Sequence, residues 1–361
     1  MALIKIGIRH FRNLHSVDFE PSEDLNLITG QNASGKTSLL EAIYYLARAR
    51  SFRSHRFEKI VEQGQHELSV FARKKIENGQ KVPFGLKKSA KSVQIRINEQ
   101  KVTKVSELVQ NLPLQLIHPN SHQLLEEGPR YRRQFLDWGV FHVEHEFFPV
   151  WHQYQSALKQ RNMALRQGQR TDLVRIWDKE LIQSGNRIDS LRLNYVNALQ
   201  ELLSRYINPV LGDLDVRLVY RSGWNKDLSL EEAVSRSLQT DRERGYTAVG
   251  PQRADLIVDV DGTAAIDRVS RGQQKILVTC LLLAQAGLFN VMTGRKCILL
   301  IDDVAAELDP KNRNRLLQVL ADMNVQMFLT SIGDETLSPM MEHVSTARMF
   351  HVEHGKLSGV I

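Results

Sequence analysis

A glycine-rich loop close to the N-terminus constrains this chain more than any other feature. Residues 30–37 read Gly-Gln-Asn-Ala-Ser-Gly-Lys-Thr and fit the pattern G-x-x-x-x-G-K-[ST]. Residues 25–28 before the loop are typical of a strand, and residues 38–46 after it carry apolar side chains at helical spacing. This order of strand, loop and helix is typical of a phosphate-binding loop, in which backbone N–H groups and the helix N-terminus converge on an anion.

The residue types in the loop predict the ligand. The Lys36 ammonium is expected on the β- and γ-phosphates, and the Thr37 hydroxyl on Mg²⁺. The predicted cofactors are therefore ATP and Mg²⁺, and an ordinary glycine turn is the alternative. The nucleotide-binding residues predicted from the loop are Gly30, Gln31, Asn32, Ala33, Ser34, Gly35, Lys36, Thr37 and Ser38.

A second candidate site lies where an apolar run ends in two carboxylates. Residues 297–301 are continuously apolar, as in a parallel strand covered on both faces, and Asp302 and Asp303 follow. We expect Asp302 to bind the magnesium ion, either directly or through one of its bound waters. We expect Asp303 to polarise an attacking water. Strands often end in Asp at a plain turn, so this prediction depends on the loop upstream.

Residues 270–275, Ser-Arg-Gly-Gln-Gln-Lys, open a long apolar helix. Ser270 can cap that helix, and the exposed N–H groups of its first turn can bind a phosphate. A plain helix cap explains the same residues.

The middle of the chain has a different character. Residues 149–207 are polar and rich in Arg and Gln, and two sets of residues recur every seven positions. The sets are Leu181, Ile188, Tyr195 and Leu202, and Trp177, Ser184, Leu191 and Ala198. A short coiled-coil arm and two helices of an ordinary helical subdomain explain this pattern equally well. The predicted architecture is α/β: residues 1–120 and 265–361 form a head with a mixed sheet, and residues 121–264 form an inserted, mainly helical lobe with a short arm.

The net charge and the composition indicate which class of partner this protein can bind. The formal net charge is +7, which permits a polyanionic partner. Basic residues cluster at Arg48, Arg50, Arg53, Arg56 and Lys59 and again at Arg130, Arg132 and Arg133. Few aromatic residues interleave with them, so phosphate contacts to DNA without sequence choice are the prediction, and a solvated face is the alternative.

The cysteines and the apolar segments predict the cellular compartment of the protein. Cys280 and Cys297 lie in apolar runs, as buried reduced thiols do. Lys5 and Arg9 interrupt any N-terminal apolar region of the signal-peptide kind. The longest apolar stretch, residues 276–289, is expected to be too short to span a bilayer. The prediction is a cytoplasmic protein with no membrane partner.

A repeated pentapeptide, Phe-His-Val-Glu-His at residues 141–145 and 350–354, has unlike flanking residues. We interpret it as coincidence, because a zinc site would need further ligands that the apolar cysteines do not offer.

Several motifs together identify a family. The loop, the Ser-x-Gly-Gln segment, the Asp pair and Glu307-Leu308-Asp309 follow the order of ABC-type ATPase heads of the SMC and Rad50 kind. The further matches are Phe-Arg-Asn-Leu at 11–14, Leu-Glu-Ala-Ile at 40–43, Arg-Ser-Phe-Arg at 50–53, Tyr-Arg-Arg-Gln-Phe-Leu-Asp-Trp at 131–138 and Gly-Pro-Gln-Arg at 250–253. With these, nearly the whole chain resembles the RecF family of bacterial recombination mediators, and the 131–138 block is the most specific match.

The resemblance implies properties that the residues alone do not. It implies a weak ATPase that forms an ATP-dependent, head-to-tail homodimer. It adds Arg12, Ser270, Gly272 and Gln273 to the nucleotide-binding residues, with Ser270 and Gly272 closing over the γ-phosphate held by Lys36 of the other subunit. It implies ATP-dependent DNA binding at single-strand gaps and stalled forks, loading of the recombinase RecA together with the RecO and RecR proteins, and support of SOS induction.

The chain also departs from the usual ATPase pattern. Asp303 stands where typical ABC enzymes have Glu, which suits a slow switch, so the predicted catalytic residues are Lys36 and Asp303. Thr330 and Ser331 stand where a histidine is usual, and either hydroxyl is a candidate sensor of the γ-phosphate. Gln115 and Gln123 both remain candidates for the glutamine loop. A transporter ATPase would not explain the 131–138 block, and an ATP-dependent nuclease would need a further carboxylate cluster, which the sequence does not offer.

Overall fold

The computed structural model describes residues 1–303, 308–333, 340 and 344–359. The strands are β1 (Ala2–Phe11), β2 (Leu14–Phe19), β3 (Leu25–Thr29), β4 (Glu67–Lys75), β5 (Lys81–Ser89), β6 (Val93–Ile97), β7 (Gln100–Val102), β8 (Leu114–Ile117), β9 (Val216–Arg221), β10 (Asp255–Val260), β11 (Thr263–Ala264), β12 (Ile298–Ile301), β13 (Met327–Ser331), β14 (Ala347–Glu353) and β15 (Lys356–Gly359).

The helices of the described residues are α1 (Lys36–Arg48), α2 (Val105–Asn111), α3 (Gln123–Glu126), α4 (Pro129–Val143), α5 (Phe147–Arg166), α6 (Thr171–Arg175), α7 (Asp178–Leu211), α8 (Leu230–Arg244), α9 (Ala265–Arg268), α10 (Arg271–Thr293) and α11 (Pro310–Asp322). The chain divides into two compact units, residues 1–121 with 289–361, and residues 122–288. The second boundary lies at residue 288, where the sequence predicts 264, because residues 271–288 of α10 group with the inserted unit.

The first unit contains two sheets. One is antiparallel, in the order β2-β1-β4-β5-β6-β7. The other has the order β15-β14-β3-β13-β12-β8, in which all neighbours are parallel except β14 and β15. This second sheet is the predicted mixed sheet of an α/β head, and the fold class is confirmed. Its central strands β3, β12 and β13 are buried at every residue, as parallel strands are when both faces are covered.

One hydrophobic cluster packs both sheets and α1 together. It contains Ile6 and Leu68 from the antiparallel sheet, Leu39 and Ile43 from α1, and Phe328 from β13, all with no exposed surface. The helical spacing of the apolar residues after the glycine loop therefore marks the face of α1 that is buried in this core. That burial fixes the start of α1, and with it the glycine loop, against the end of β3.

The second unit is mainly helical, with a three-stranded antiparallel sheet in the order β11-β10-β9. Its longest helix, α7, has 34 residues and packs against α4, α5, α8 and β9. Leu181, Ile188 and Tyr195 from the predicted heptad are buried. A helix of an ordinary helical subdomain packs against several elements, and α7 does so.

Two motifs that characterise the sequence hold this unit together. Arg132 from the 131–138 block forms an ion pair with Asp255 at 2.7 Å, and Arg133 donates to the Ala254 carbonyl at 2.7 Å. Asp137 from the same block accepts from Arg192, which also donates to the carbonyl of Pro251 in the 250–253 motif. These residues form structural contacts, and the assignment of Arg132 and Arg133 to a DNA-binding cluster stays a prediction.

The apolar helix α10 is longer than the sequence predicts. It has 23 residues and passes a length and composition test for a membrane span, so the expectation that it is too short is wrong. Its most apolar window is 72% buried within the protein, as in the core helix of a soluble protein.

Candidate nucleotide site

The glycine loop has a backbone that its two glycines make possible. Gly30 and Gly35 have φ values of 147° and 124°, a region that other residues rarely adopt. A Cβ at Gly30 would lie 2.3 Å from the Val352 carbonyl oxygen, so a side chain cannot be accommodated there. The Ser34 carbonyl accepts hydrogen bonds from Asn13 Nδ2 at 3.1 Å and from the Gly355 N–H at 2.9 Å. The loop is thus fixed from two sides before any ligand is present.

Lys36 lies across this loop. Its Nζ donates to the carbonyl oxygens of Gly30 at 2.6 Å and Gln31 at 3.0 Å. Burial lowers the pKa of Lys36, although the charges of Asp303 and Asp302 oppose that shift. The Ser34 hydroxyl beside it is buried and has no hydrogen-bond partner among the described residues. An ammonium group that is held only by loop carbonyls can transfer its hydrogen bonds to an incoming anion.

Thr37 and Asp302 meet across the edge of the parallel sheet, although 265 positions separate them in the sequence. The Thr37 hydroxyl donates to Asp302 Oδ1 at 3.1 Å. Asp302 follows β12, the glycine loop follows β3, and β13 lies between them. Because all three strands are parallel, their carboxyl ends share one edge of the sheet. Burial raises the pKa of Asp302, against hydrogen bonds from Thr330 and Thr37 that lower it.

Thr330 links the side chain of Asp302 to the backbone of Asp303. Its hydroxyl donates to Asp302 Oδ1 at 2.8 Å and accepts from the Asp303 N–H at 2.9 Å. The Ser331 hydroxyl donates to the Gly333 carbonyl at 2.9 Å. Both hydroxyl protons are therefore used within the protein, and γ-phosphate sensing by one of them stays a prediction. Glu307, from the third acidic motif, lies outside the described residues.

Lys36, Thr37, Asp302 and Asp303 line a cleft of about 680 Å³. Its walls are Arg12, Asn13, Asn32, Ala33, Gly35, Lys36, Thr37, Ser38, Arg53, Lys59, Val61, Gln63, Asp302 and Asp303. The cleft therefore brings together most of the predicted loop residues, Arg12 and both aspartates.

A buried carboxylate that sequence reasoning missed positions two of the wall arginines. Glu41 in α1 has no exposed surface and accepts from Arg12 at 2.7 and 3.0 Å, from Arg53 at 3.4 Å and from the Ser51 hydroxyl. We call these four residues the Glu41 cluster. A single acid within an apolar helical segment was the available signal, since a buried carboxylate needs cationic partners.

The predicted residues Ser270, Gly272 and Gln273 lie in the second unit, at the exposed start of α10. The Ser270 N–H donates to Gln273 Oε1 at 3.0 Å, and the Gln273 N–H donates to Ser270 Oγ at 3.4 Å. This reciprocal pair is a capping box, with Gln in the place of the usual Glu. The cap that the sequence predicts is therefore present, and the walls of the cleft described above do not include it.

The first basic cluster divides into buried and exposed members. Arg48 donates to the Leu114 carbonyl at 3.2 Å, and burial lowers its pKa to about 10. Its assignment to a DNA-binding surface is wrong, because the guanidinium is inside the protein. Arg50, Arg53, Arg56 and Lys59 are exposed, and Arg53 differs from the other three in its bond to the buried Glu41. Arg130 of the second cluster is exposed as well.

Comparison with known proteins identifies one family. The sequence profile described as the RecF/RecN/SMC N terminal domain matches residues 2–358. The DNA replication and repair protein RecF of Pseudomonas aeruginosa strain PAO1 is 41% identical over 360 residues, covering 99% of this chain and 98% of that protein. The protein of the same name from Shewanella oneidensis strain MR-1 is 39% identical over 359 residues, covering 99% of each.

Comparison with solved structures agrees with the comparison of sequences. The recombination mediator protein RecF of the RecFOR pathway, solved with ATP, has a TM-score of 0.88 and 27% identity, covering 100% of this chain and 98% of that one. The Smc head domain of Pyrococcus furiosus, solved with the C-terminal domain of ScpA, has a TM-score of 0.62 and 14% identity, covering 99% and 96%. The second likeness shows the fold alone.

Proposed function

The chain belongs to the RecF family of DNA replication and repair proteins, and we propose that it is an ATP-dependent, DNA-binding recombination mediator. The observation that carries the proposal is the contact between Thr37 of the glycine loop and Asp302 at the end of β12, at 3.1 Å. Lys36 lines the same cleft as these two residues. A hydroxyl, a carboxylate and an ammonium group therefore lie together, which is what a bound nucleoside triphosphate requires.

The residues fit a magnesium ion. The Thr37 hydroxyl and the Asp302 carboxylate are hard oxygen donors of the kind that Mg²⁺ selects, and they share one hydrogen bond that the ion would replace. When bound, Mg²⁺ neutralises charge that develops on the phosphates. Thr330 holds the Asp302 carboxylate in place. Lys36 would transfer its hydrogen bonds from the loop carbonyls to phosphate oxygens, and the Ser34 hydroxyl is available as a further donor.

Weak hydrolysis follows from Asp303. Its backbone is in the left-handed region, at φ 49°, and its N–H is tied to Thr330. A short carboxylate on a fixed backbone reaches less far than a glutamate would, so it orients an attacking water less well. We therefore propose that ATP acts mainly as a switch, with slow turnover.

ATP-dependent dimerisation would complete the site. The start of α10 is exposed at Ser270, Gly272 and Gln273, and a Cβ at Gly272 would meet no atom within 4 Å. Free space at a helix N-terminus suits close approach of an anion. We propose that Ser270 and Gly272 of one subunit contact the γ-phosphate that Lys36 of the other subunit holds.

DNA binding would follow from the exposed basic residues Arg50, Arg56, Lys59 and Arg130. Their partners would be phosphates, with little sequence choice. Single-strand gaps and stalled forks as targets, loading of the recombinase with RecO and RecR, and a role in SOS induction complete the proposed function.

Retention of DNA with and without ATP tests this proposal. The variant Ser270→Arg tests the part of it that concerns the site shared between two subunits. We expect ATP binding to the glycine loop to persist in this variant, because Ser270 is not part of that cleft, while light scattering shows no ATP-dependent dimer. Ser235→Arg is the control for an added arginine at an exposed position of the second unit, and it should dimerise normally. A normal dimer in Ser270→Arg would refute the shared site, and ATP-dependent cleavage of the DNA would favour a nuclease instead.

A further inference from the structure

Two histidines of the β1–β2 hairpin meet a glutamate that lies about fifty positions further along the sequence. His10 lies in β1, His15 lies in β2, and Glu62 lies in the segment that follows residues 57–59. His10 Nδ1 is 2.7 Å from Glu62 Oε2, and His15 Nδ1 is 3.1 Å from the same oxygen. One nitrogen from each imidazole and one carboxylate oxygen lie within 4.8 Å of one another. The repeated His-containing pentapeptide forms no such group among the described residues.

The backbone fixes this arrangement. The Glu62 N–H donates to the His10 carbonyl at 3.0 Å, and the Arg12 N–H donates to the Ile60 carbonyl at 2.7 Å. Between these bonds, Phe11 and Val61 form an isolated β-bridge. The hairpin and the segment are therefore joined on the side where the three side chains meet, so the side chains are held close together at little further entropic cost.

The donor set indicates the class of ion. Two imidazole nitrogens and one carboxylate are the ligands of open, three-ligand zinc sites, whereas Mg²⁺ and Ca²⁺ select oxygen ligands. Zinc bonds of about 2.0–2.2 Å at tetrahedral angles put ligand atoms about 3.3 Å apart. The observed separations from Glu62, 2.7 and 3.1 Å, need to open by about 0.6 and 0.2 Å when a metal replaces the shared protons.

The exposure of the three side chains is compatible with loading from solvent. The His15 side chain is 71% exposed, which leaves a path for the ion. The His10 and Glu62 side chains are 29% and 23% exposed, so two of the three ligands are held by their surroundings.

We propose that His10, His15 and Glu62 form a binding site for a divalent transition-metal ion of the zinc type, with a fourth position open to water. The ion would cross-link the hairpin to the segment that contains Lys59, Val61 and Gln63, three residues of the cleft wall. The site would thus stiffen one wall of the cleft. The proposal does not rest on ATP or DNA binding.

The test is a metal titration of the full chain after treatment with a chelator, without nucleotide. We expect calorimetry to show about one zinc ion bound per chain, and Co²⁺ at the same site to give the strong visible absorption of tetrahedral coordination. His15→Ala and Glu62→Gln should weaken zinc binding by more than about tenfold and abolish that absorption. His152→Gln removes another exposed histidine, on α5, and should bind as the unchanged chain does.

Thermal unfolding supplies the second measurement. Zinc should raise the Tm of the unchanged chain and of His152→Gln, because a ligand that binds the folded state stabilises it. It should leave the Tm of His15→Ala unchanged, and without metal this variant should fold normally because its side chain is mostly exposed. Failure of the unchanged chain to bind zinc would overturn the proposal, as would equal binding by all variants, which would indicate adventitious surface binding only.

Discussion

The cleft of the first unit and the arginine networks of the second unit use similar charged side chains for opposite purposes. In the cleft, Lys36 donates to two carbonyls of a loop, and Thr37 donates to Asp302. In the second unit, Arg161 has no exposed surface and bonds to Asp178, Asp241 and Thr247. The cleft groups can exchange partners with a ligand, whereas the Arg161 bonds have no replacement from solvent.

The difference teaches how to interpret basic residues in such a chain. A cation that bonds to backbone carbonyls beside an open cleft is available to an anion. A cation that bonds to buried carboxylates is part of the fold, and loss of one partner leaves the other charge without compensation. The variants below test this contrast, in order of decreasing effect.

The largest effect is expected from Arg161→Ala. Removal of the guanidinium leaves the Asp241 carboxylate buried without its cation, which should lower the free energy of unfolding by about 3–5 kcal/mol. Urea denaturation measures this loss. The matched control is Arg170→Ala in the same unit, where the ion pair with Asp172 is largely exposed and the stability should hardly change. Equal stability of the two variants would show that the Arg161 network does not hold the second unit.

Lys36→Arg should produce the reverse pattern, with stability kept and activity lost. The guanidinium is larger and places its charge differently, so it should fit the loop poorly. We expect ATP turnover to fall by about 100-fold, or about 2.7 kcal/mol of transition-state stabilisation, and the ATP-dependent dimer to weaken. A steady-state phosphate-release assay and light scattering measure the two effects. Full ATPase activity in this variant would remove Lys36 from its proposed role.

The contrast also explains which parts of the molecule the sequence could predict. The glycine loop, β3 and α1 are adjacent in sequence, so local pattern was enough for them. The Thr37–Asp302 contact joins distant residues, but each residue was predicted as a magnesium ligand from its own motif, and the parallel strands bring the two to one edge of the sheet.

Contacts that no motif indicates were missed. Arg132 pairs with Asp255, 123 positions away, and Arg48 bonds to a carbonyl of β8. Both residues looked like surface cations because no local pattern reports a distant partner. Glu41 and the group of His10, His15 and Glu62 were missed for the same physical reason.

A smaller effect is expected from Asp303→Asn. The amide has nearly the same size, but it cannot polarise water as a carboxylate does. We expect ATP to bind normally and turnover to fall by about tenfold or more, so that the dimer and the retained DNA both persist longer. Nucleotide affinity and single-turnover hydrolysis separate the two steps. If Asp303→Asn abolished nucleotide binding instead, Asp303 would belong with Thr37 and Asp302 as a metal ligand.

The smallest effect concerns DNA, where each exposed cation contributes little. Arg50 and Arg56 are exposed and lie outside the Glu41 cluster, so their replacement by Ala should leave nucleotide binding normal. Each lost phosphate contact should reduce the slope of log affinity against log salt by about one unit, with no change in sequence preference. Arg48→Met is the matched control, because the Arg48 guanidinium bonds to the Leu114 carbonyl, and it should leave the slope unchanged. An unchanged slope in Arg50→Ala/Arg56→Ala with normal ATP binding would move the DNA surface towards Arg130, since Arg132 and Arg133 are already bonded within the second unit.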